Sequence, residues 1–503
     1  MSIAFPLAHY PGFDRFVLDW LHGDERFLLR GGQALMPVPR PGDRRERLSS
    51  TELAEALIES NKHWGLFVDA DVRAWNRGES VAVIAGQQTG FAGGPLYTLV
   101  KLATLVKMKR ENEARGIPTT VFFWLATEDH DFAEVASIAF PSGDERAQRD
   151  LVYLRAVRAV ETRDIVGPQP VPPVLIDELL AFFDMPRPPW LREGISFRDS
   201  FAELIATVFP RDVVLVDALL PELRRAGAPL FEQIVSNWDA IQNALAARAA
   251  ELQAAGYTPQ VTPRENGQYT LLYAIDERGN RDIADHASVP ERTSTSALTR
   301  PLLQDFVIQP DVFVGGPAEV AYYAQIAPLH ELLGLPMPRV ALRAHALVAP
   351  KRAAKSFGRY GIQPEEVFTS ADELLAAREP EGVAKIRAAA ERGRSALTDV
   401  FTEIGNVALP ADHAMARRVS RSIGHIEFHF EKLAERATRS LVRKDRERWT
   451  AARELVAVLH PDRHVQDRVV GWFAYWKEFG NHLVERLIEE VEPDGDVCKI
   501  VTL

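Results

Sequence analysis

The stretch from Val81 to Arg110, VAVIAGQQTGFAGGPLYTLVKLATLVKMKR, changes its hydrophobic period partway along. Val81 to Ala85 is a short apolar, β-branched run of the kind that forms a buried strand, whereas Leu99, Leu102, Leu105, Val106 and Lys109 follow helical spacing. Between them lie Gly86, Gly90, Gly93 and Gly94, which reach backbone angles closed to other residues, and Pro95, which suits a first helical turn. Strand, glycine-rich loop and helix in that order would offer free N–H groups at a helix N-terminus, a natural seat for an anion. No Gly-Lys-Ser/Thr follows, so this is not a Walker A loop, and the dinucleotide fingerprint is not matched. A tight turn with no ligand remains the plainer alternative.

The layout recurs. Asp311 to Val314 reads as a strand, and Gly315-Gly316-Pro317 leads into a helix that carries Glu319, Tyr322, Tyr323 and Gln325. Glu319 and Tyr322 stand at i and i+3, on one helix face, and Arg300, Gln304 and Asp305 add polar groups just upstream. Between the two blocks, Thr119 to Ala126 (TTVFFWLA) is another buried strand, followed at once by Glu128, Asp129, His130 and Asp131. Open α/β sheets bind ligands in the crevice outside the carboxyl ends of their strands, so titratable residues there are candidates for chemistry. Three readings of the cluster stand: a divalent metal site, a site for a substrate's ammonium or hydroxyls, or a solvated loop that caps the next helix. His130 has no His-x-x-x-His partner, which makes metal the weakest of the three.

A chain of 503 residues is long enough for two or three compact units. Residues 1–365 read as an α/β core with a parallel sheet, preceded by proline-rich joints at Pro37, Pro39 and Pro41 and interrupted by insertions at about 135–197 and 257–300. Residues 366–490 read as helical. Val383, Ile386, Ala390, Gly393, Leu397, Val400 and Ile404 alternate by three and four, and Met415, Val419, Ser422, Ile426, Phe430 and Leu433 form a second seam. A third helix after Pro461 carries Val465, Val469, Trp472, Trp476, Phe479 and Leu483, and 491–503 return to the core. Long helices with short joints point to an antiparallel coiled-coil arm, which usually packs against a partner or a second copy.

The net charge of −11, from 59 basic and 70 acidic residues, argues against nucleic-acid binding, which needs a basic footprint. No run of about 18 apolar residues occurs and the N-terminus has no signal-like pattern, so a cytoplasmic protein with no membrane partner is expected. Cys498 is the only cysteine, which rules out an internal disulfide or a thiolate zinc cluster and reads as a passive thiol.

Four blocks, GQQTGFAGGPLYTLVK, FWLATEDHDFAEV, RPLLQDFVIQPDVFVGGPAEVAYYAQI and VQDRVVGWFAYWKEFGNHLVERL, resemble in order the bacillithiol biosynthesis cysteine-adding family. The resemblance implies a Rossmann-like core of nucleotidylyltransferase type with two connecting insertions, and a coiled-coil domain through which the chain forms a homodimer. It further implies a ligase that joins the carboxyl group of cysteine to the amine of glucosaminyl-malate to make bacillithiol. ATP or another nucleotide is the expected cosubstrate, with no tightly bound cofactor. In that superfamily the first turn carries a HIGH-type motif; Gly93-Gly94-Pro95-Leu96-Tyr97 occupies its place without the histidines. Lys351-Arg352-Ala353-Ala354-Lys355-Ser356 lies where a KMSKS-type loop is usual and matches it poorly.

The expected site therefore has two walls and a floor. Gln87, Gln88, Gly93, Gly94, Tyr97 and Lys101 line one wall, Gly315, Gly316, Glu319 and Tyr322 the other, and Glu128 to Asp131 form the floor. Asp129 and Asp131 are assigned to the substrate's ammonium or hydroxyls and His130 to acid/base work, since its ordinary pKa of about 6.5 lies near working pH. Cysteine selection is expected to be metal-free, by a small partly apolar pocket, with acids of the 128–131 cluster on the ammonium. Rivals from other classes are a non-catalytic nucleotide-binding scaffold and an aminoacyl-tRNA synthetase-like enzyme.

Overall fold

Five segments with near-continuous apolar character, each buried on both faces, pair in parallel to form the central sheet of a computed structural model: β1 (Val81–Gln87), β2 (Thr119–Leu125), β3 (Val214–Asp217), β4 (Val312–Gly315) and β5 (Arg339–Leu342). Such runs suit a parallel sheet covered on both sides. The structure describes residues 3–28, 51–143, 149–157, 163–284, 289–410 and 414–503. The proline-rich joints at Pro37, Pro39 and Pro41 lie outside the described residues.

The strand order is β5-β4-β1-β2-β3. The chain starts in the middle, builds outward through β2 and β3, then crosses back to place β4 on the other side of β1. The direction of winding therefore reverses between β1 and β4, and a doubly wound sheet opens its ligand crevice at that point. The glycine-rich turns follow these two strands. The helix after β1 is α1 (Leu96–Glu113), a four-residue helix α2 (Phe132–Val135) follows the acidic cluster, and α3 (Pro317–Leu332) follows β4.

Both insertions fold as small antiparallel sheets. Ser137–Pro141 pairs with Leu151–Arg155, and Leu272–Ile275 is flanked by Arg281–Ala284 and Thr293–Thr295. After β3 come two helices, Pro221–Ser236 and Trp238–Ala254, separated at Asn237. At the C-terminus, Val497–Thr502 pairs antiparallel with Ile3–Pro6, which returns the end of the chain to the core.

The compact units divide at different places from the expected 365/366 and 490/491: one comprises 1–348 with 466–503, the other 349–465. The third helical segment is thus part of the first unit. It is broken into Gln466–Val469, Trp472–Phe479 and Asn481–Glu490, with Gly480 at φ +56° between the last two. These pieces pack on α1, where Arg110 pairs with Glu485 at 2.6 Å. The KRAAKS segment begins the second unit as the helix Lys351–Tyr360, with Ala353, Ala354 and Ser356 buried.

Within the second unit, α4 (Pro380–Ala408) and α5 (Met415–Val442) form an antiparallel hairpin. A Cβ added at Gly382, Gly393 or Gly405 would lie 2.6, 2.5 or 2.7 Å from Leu441, Phe430 and Val419 respectively. One residue number rises as its partner's falls, as antiparallel pairing requires, and the small residues of α4 receive the large side chains of α5.

Candidate active site

The crevice at the switch point holds a cavity of about 710 Å³ within the first unit. Gln87, Gln88, Tyr97 and Lys101 line one side, and Gly316, Glu319 and Tyr322 the other. Across the gap Lys101, buried on α1, donates to Glu319 Oε2 at 2.6 Å and to the Gly86 carbonyl at 2.8 Å. One ion pair thus ties the helix after β1 to the helix after β4. Burial pulls the Lys101 ammonium down from its ordinary pKa, and Glu319 opposes the shift.

At the two glycine-rich turns several of the amides are already bonded within the protein. Glu319 reaches back to accept from the Gly316 N–H at 2.7 Å, so the second helix caps itself. At the first turn, Gly93 N–H bonds to Gly90 O and Gly94 N–H to Phe91 O, while Leu96 N–H bonds to Val470 O at 2.8 Å. Gly93 and Gly94 have φ of +85° and +75°, and Trp472 lies so close that a Cβ on Gly93 would stand 2.5 Å from its ring. The indole N–H donates to Gly93 O at 2.8 Å. Gly93 is therefore a packing glycine, Gly315 lies at the end of β4 under Phe313, and neither lines the cavity, whereas Gly94 lines a smaller neighbouring recess.

The acidic cluster divides into distinct jobs. Glu128 is buried and both carboxylate oxygens are bonded: Arg224 forms a very short ion pair, and the Ser294 and Thr295 hydroxyls donate at 2.7 and 2.8 Å. Burial raises its pKa, but Arg224 and Arg281 outweigh that and hold it near about 2. Glu128 lines the cavity as expected, with Oε2 held by Arg224 and Ser294 and Oε1 by Thr295. Asp131 caps α2, accepting from Glu134 N–H at 2.9 Å, and points away from the cavity lining. This is the capping alternative realised at one residue of the four.

Asp129 and His130 do face the cavity. Asp129 accepts from Gln88 Nε2 at 2.6 Å and lies 3.5 Å from His130 Nδ1. Arg281 NH1 stands 3.2 Å from the same ring nitrogen. Burial and the Arg281 charge lower the His130 pKa, which keeps the imidazole neutral around pH 7.

Sequence reading missed the contribution of the second insertion. Tyr273, Arg281, Thr295 and Ser296 form part of the lining. Arg281 is buried, lies 4.0 Å from the Tyr273 ring centroid, and donates to Ser294 Oγ at 2.9 Å. Arg343, at the end of β5, and Arg468, in the returning C-terminal segment, complete the cationic side. Arg343 is held by Asp467 at 3.5 Å and lies over the Tyr97 ring. Arg300 reaches the Tyr322 hydroxyl at 2.5 Å, and among the described residues neither Arg300 nor Arg468 has a carboxylate partner. Gln304 and Asp305 instead belong to a buried network with Tyr323 and His330 beside the cavity wall. The Thr/Ser content of 293–299 was the only trace of this wall in the sequence; an isolated arginine between short strands gives none.

Among the described residues, no group of three or more His, Cys, Asp or Glu side chains is placed to hold a metal ion, and no helix is long and apolar enough to cross a membrane. Cys498 is buried in the C-terminal strand, where burial pushes its thiol pKa up.

Fold and site together define a Rossmann-like α/β protein with a charged crevice at its switch point and a coiled-coil domain. The chain belongs to the bacillithiol biosynthesis BshC family: the model of that family's N-terminal Rossmann-like domain matches residues 40–184, 189–284 and 281–344, and that of its C-terminal coiled-coil domain matches 346–503. It is similar to proteins that carry the name "Putative cysteine ligase BshC". The one from Koribacter versatilis is 28% identical over 97% of both chains. The one from Solibacter usitatus is 30% identical over 82% of this chain and 83% of its own, and the one from Geobacillus kaustophilus 25% identical over 86% of each.

Proposed function

We propose that this chain is the ligase that joins the carboxyl group of cysteine to the amine of glucosaminyl-malate to form bacillithiol, with a nucleotide activating the carboxylate. The observation that carries the reading is the cavity at the switch point, where Lys101, Arg281, Arg300, Arg343 and Arg468 surround Asp129 and a neutral His130. A carboxylate is a poor electrophile until it bears a leaving group. Attack of its oxygen on the γ-phosphoryl group of ATP gives an acyl phosphate and expels ADP, or attack on the α-phosphoryl group gives an adenylate and expels pyrophosphate; the amine then attacks the carbonyl, loses a proton and expels phosphate or AMP.

Guanidiniums without carboxylate partners suit this chemistry, because they stabilise phosphoryl and carboxylate charge through paired N–H donors. Arg300 and Arg468 fit that role, and they also suit the malate carboxylates. The histidines of the superfamily motif are absent here and the Gly93, Gly94, Leu96 and Gly316 amides are already bonded, so side-chain cations are assigned the charge. His130 is the proton acceptor for the attacking amine. The nearby Arg281 makes its imidazolium short-lived, as a proton shuttle requires, and Asp129 orients the ring.

Cysteine selection by shape, without a metal, predicts serine as a poor substrate, disfavoured by about 1–3 kcal/mol. Incubating purified protein with cysteine, glucosaminyl-malate and each nucleoside triphosphate in turn tests the assignment. Mass spectrometry should show an amide product together with stoichiometric nucleotide cleavage. Absence of the amide with every nucleotide would sink the reading, and near-stoichiometric zinc essential for activity would sink metal-free selection.

A further inference from the structure

Beside the main cavity lies a second recess of about 220 Å³, which shares Gln87, Gln88, Tyr97, Glu134 and Arg468 with it. Drug-sized ligands usually occupy about 300–1,000 Å³, so the recess suits something smaller. Its remaining walls include Gly90, Gly94 and Pro95 from the first turn, and Ser137, Ile138, Ala139 and Tyr153 from the first insertion. Those walls are mainly apolar. Two polar atoms in it are nevertheless buried without a partner among the described residues: Thr98 Oγ1, on a side chain with no solvent exposure, and Gln88 Oε1. Buried polar atoms are nearly always satisfied in native proteins, and each orphan here costs stability unless a ligand supplies the missing bond.

The third feature is a carboxylate. Glu134, on α2, lines both the recess and the cavity and has no cationic partner among the described residues. Its side chain is exposed at one end; desolvation and then the charges of Asp131 and Asp129 raise its pKa, and a hydrogen bond from the Gln88 side chain opposes the rise. A cation arriving at this carboxylate would be drawn by the neighbouring acids as well. An orphaned amide oxygen, an acid without a counter-ion and a hydroxyl at the back of an apolar recess form a receptor for an ammonium group joined to a short side chain.

We infer that this recess is the subsite for the ammonium and side chain of a small α-amino acid, with Glu134 and Gln88 Oε1 on the ammonium and Thr98 Oγ1 on the polar end of the side chain. The assignment rests on the ligase reading for its choice of cysteine, and it leaves the main cavity to the larger acceptor and the nucleotide. It also places the ammonium contact on Glu134 rather than on Glu128, which is ion-paired with Arg224. Thr98 is the specificity-determining contact, since a hydroxyl can bond a thiol or hydroxyl but gives nothing to a methyl group.

Calorimetric titration of the full-length protein with cysteine, serine, alanine and leucine, and separately with glucosaminyl-malate, tests the inference without any turnover. Cysteine should bind, leucine should not, and cysteine should exceed alanine. Thr98→Val, which keeps the volume, should abolish the preference of cysteine over alanine. Glu134→Gln should weaken all amino acids tenfold or more, while Thr98→Val, at a residue that lines the recess alone, binds glucosaminyl-malate within twofold of the wild type. Amino-acid binding that both variants leave unchanged overturns the subsite. So does equal weakening of amino acid and glucosaminyl-malate by Thr98→Val, or the absence of amino-acid binding to the wild type. Failure of the ligase reading looks different: amino-acid binding would respond to the variants as described, yet no amide would form with any nucleotide.

Discussion

Glu128 shows why a carboxylate's position in a sequence cluster does not settle its job. Its partners Arg224, Ser294 and Thr295 come from a helix and an insertion 96 to 167 residues downstream, so only the folded chain reveals that it is ion-paired. Glu128→Gln should cost about 3–5 kcal/mol, because it leaves the Arg224 guanidinium buried without a counter-charge; urea unfolding measures this, and Glu128→Gln combined with Arg224→Met should recover much of the loss. The pH dependence has a definite sign. The folded-state pKa near about 2 lies below the ordinary 4.5, so the stabilisation is complete above pH 4.5 and is lost as pH falls towards 2. His130 works in the opposite range. Its lowered pKa predicts an acid limb in kcat/KM below about pH 6.5, and His130→Asn should remove the limb and slow turnover by about 10²–10⁴-fold. A limb that survives the substitution would move the proton transfer to another group.

At the scale of elements, the strand, glycine turn and helix order was legible because each part has its own signal: apolar runs, a period change, and Gly and Pro where the backbone demands them. The same signals placed β1, β2 and β4, and with them the walls of the crevice. They misread what the first turn does. Gly93 looked like an opening for a ligand, but it is the seat of Trp472, and a turn's glycines carry no record of which distant side chain will fill them. Gly93→Ala should destabilise the protein by at least about 2 kcal/mol, through the left-handed backbone and the clash with the indole together. Gly116→Ala is the control, with φ of +76° and nothing within 4 Å of its added Cβ, so it carries only the backbone part. Equal midpoints for the two variants in urea would show that Trp472 yields and that the packing assigned to Gly93 is absent.

At the scale of the whole molecule, the apolar seams of 383–404 and 415–433 were legible as a coiled coil, yet periodicity says only that a helix has an apolar face, not what covers it. The segment after Pro461 has similar spacing and lies in the first unit instead, its breaks at Gly471 and Gly480 being the one local sign that it is no continuation of the arm. In the second unit the hairpin of α4 and α5 satisfies only part of its apolar surface. Leu397, Val400 and Ile404 on α4 are 40, 48 and 56% exposed, and Phe428 and Leu433 on α5 are 54 and 62% exposed. Leu397, Val400 and Ile404 recur at three and four residues and so share one face of α4, and monomeric proteins seldom leave a large apolar patch open to water. A second copy presents the same face and can cover it by a self-complementary two-fold contact, the commonest way for identical chains to pair. The full chain should therefore sediment as a dimer at micromolar concentration. Ile404→Glu with Leu433→Glu should shift it to a monomer, because four charges would then be buried in one interface, while circular dichroism shows the helices retained. A wild type that sediments as a monomer, or a double variant that remains dimeric, would show that this face is not where two copies meet.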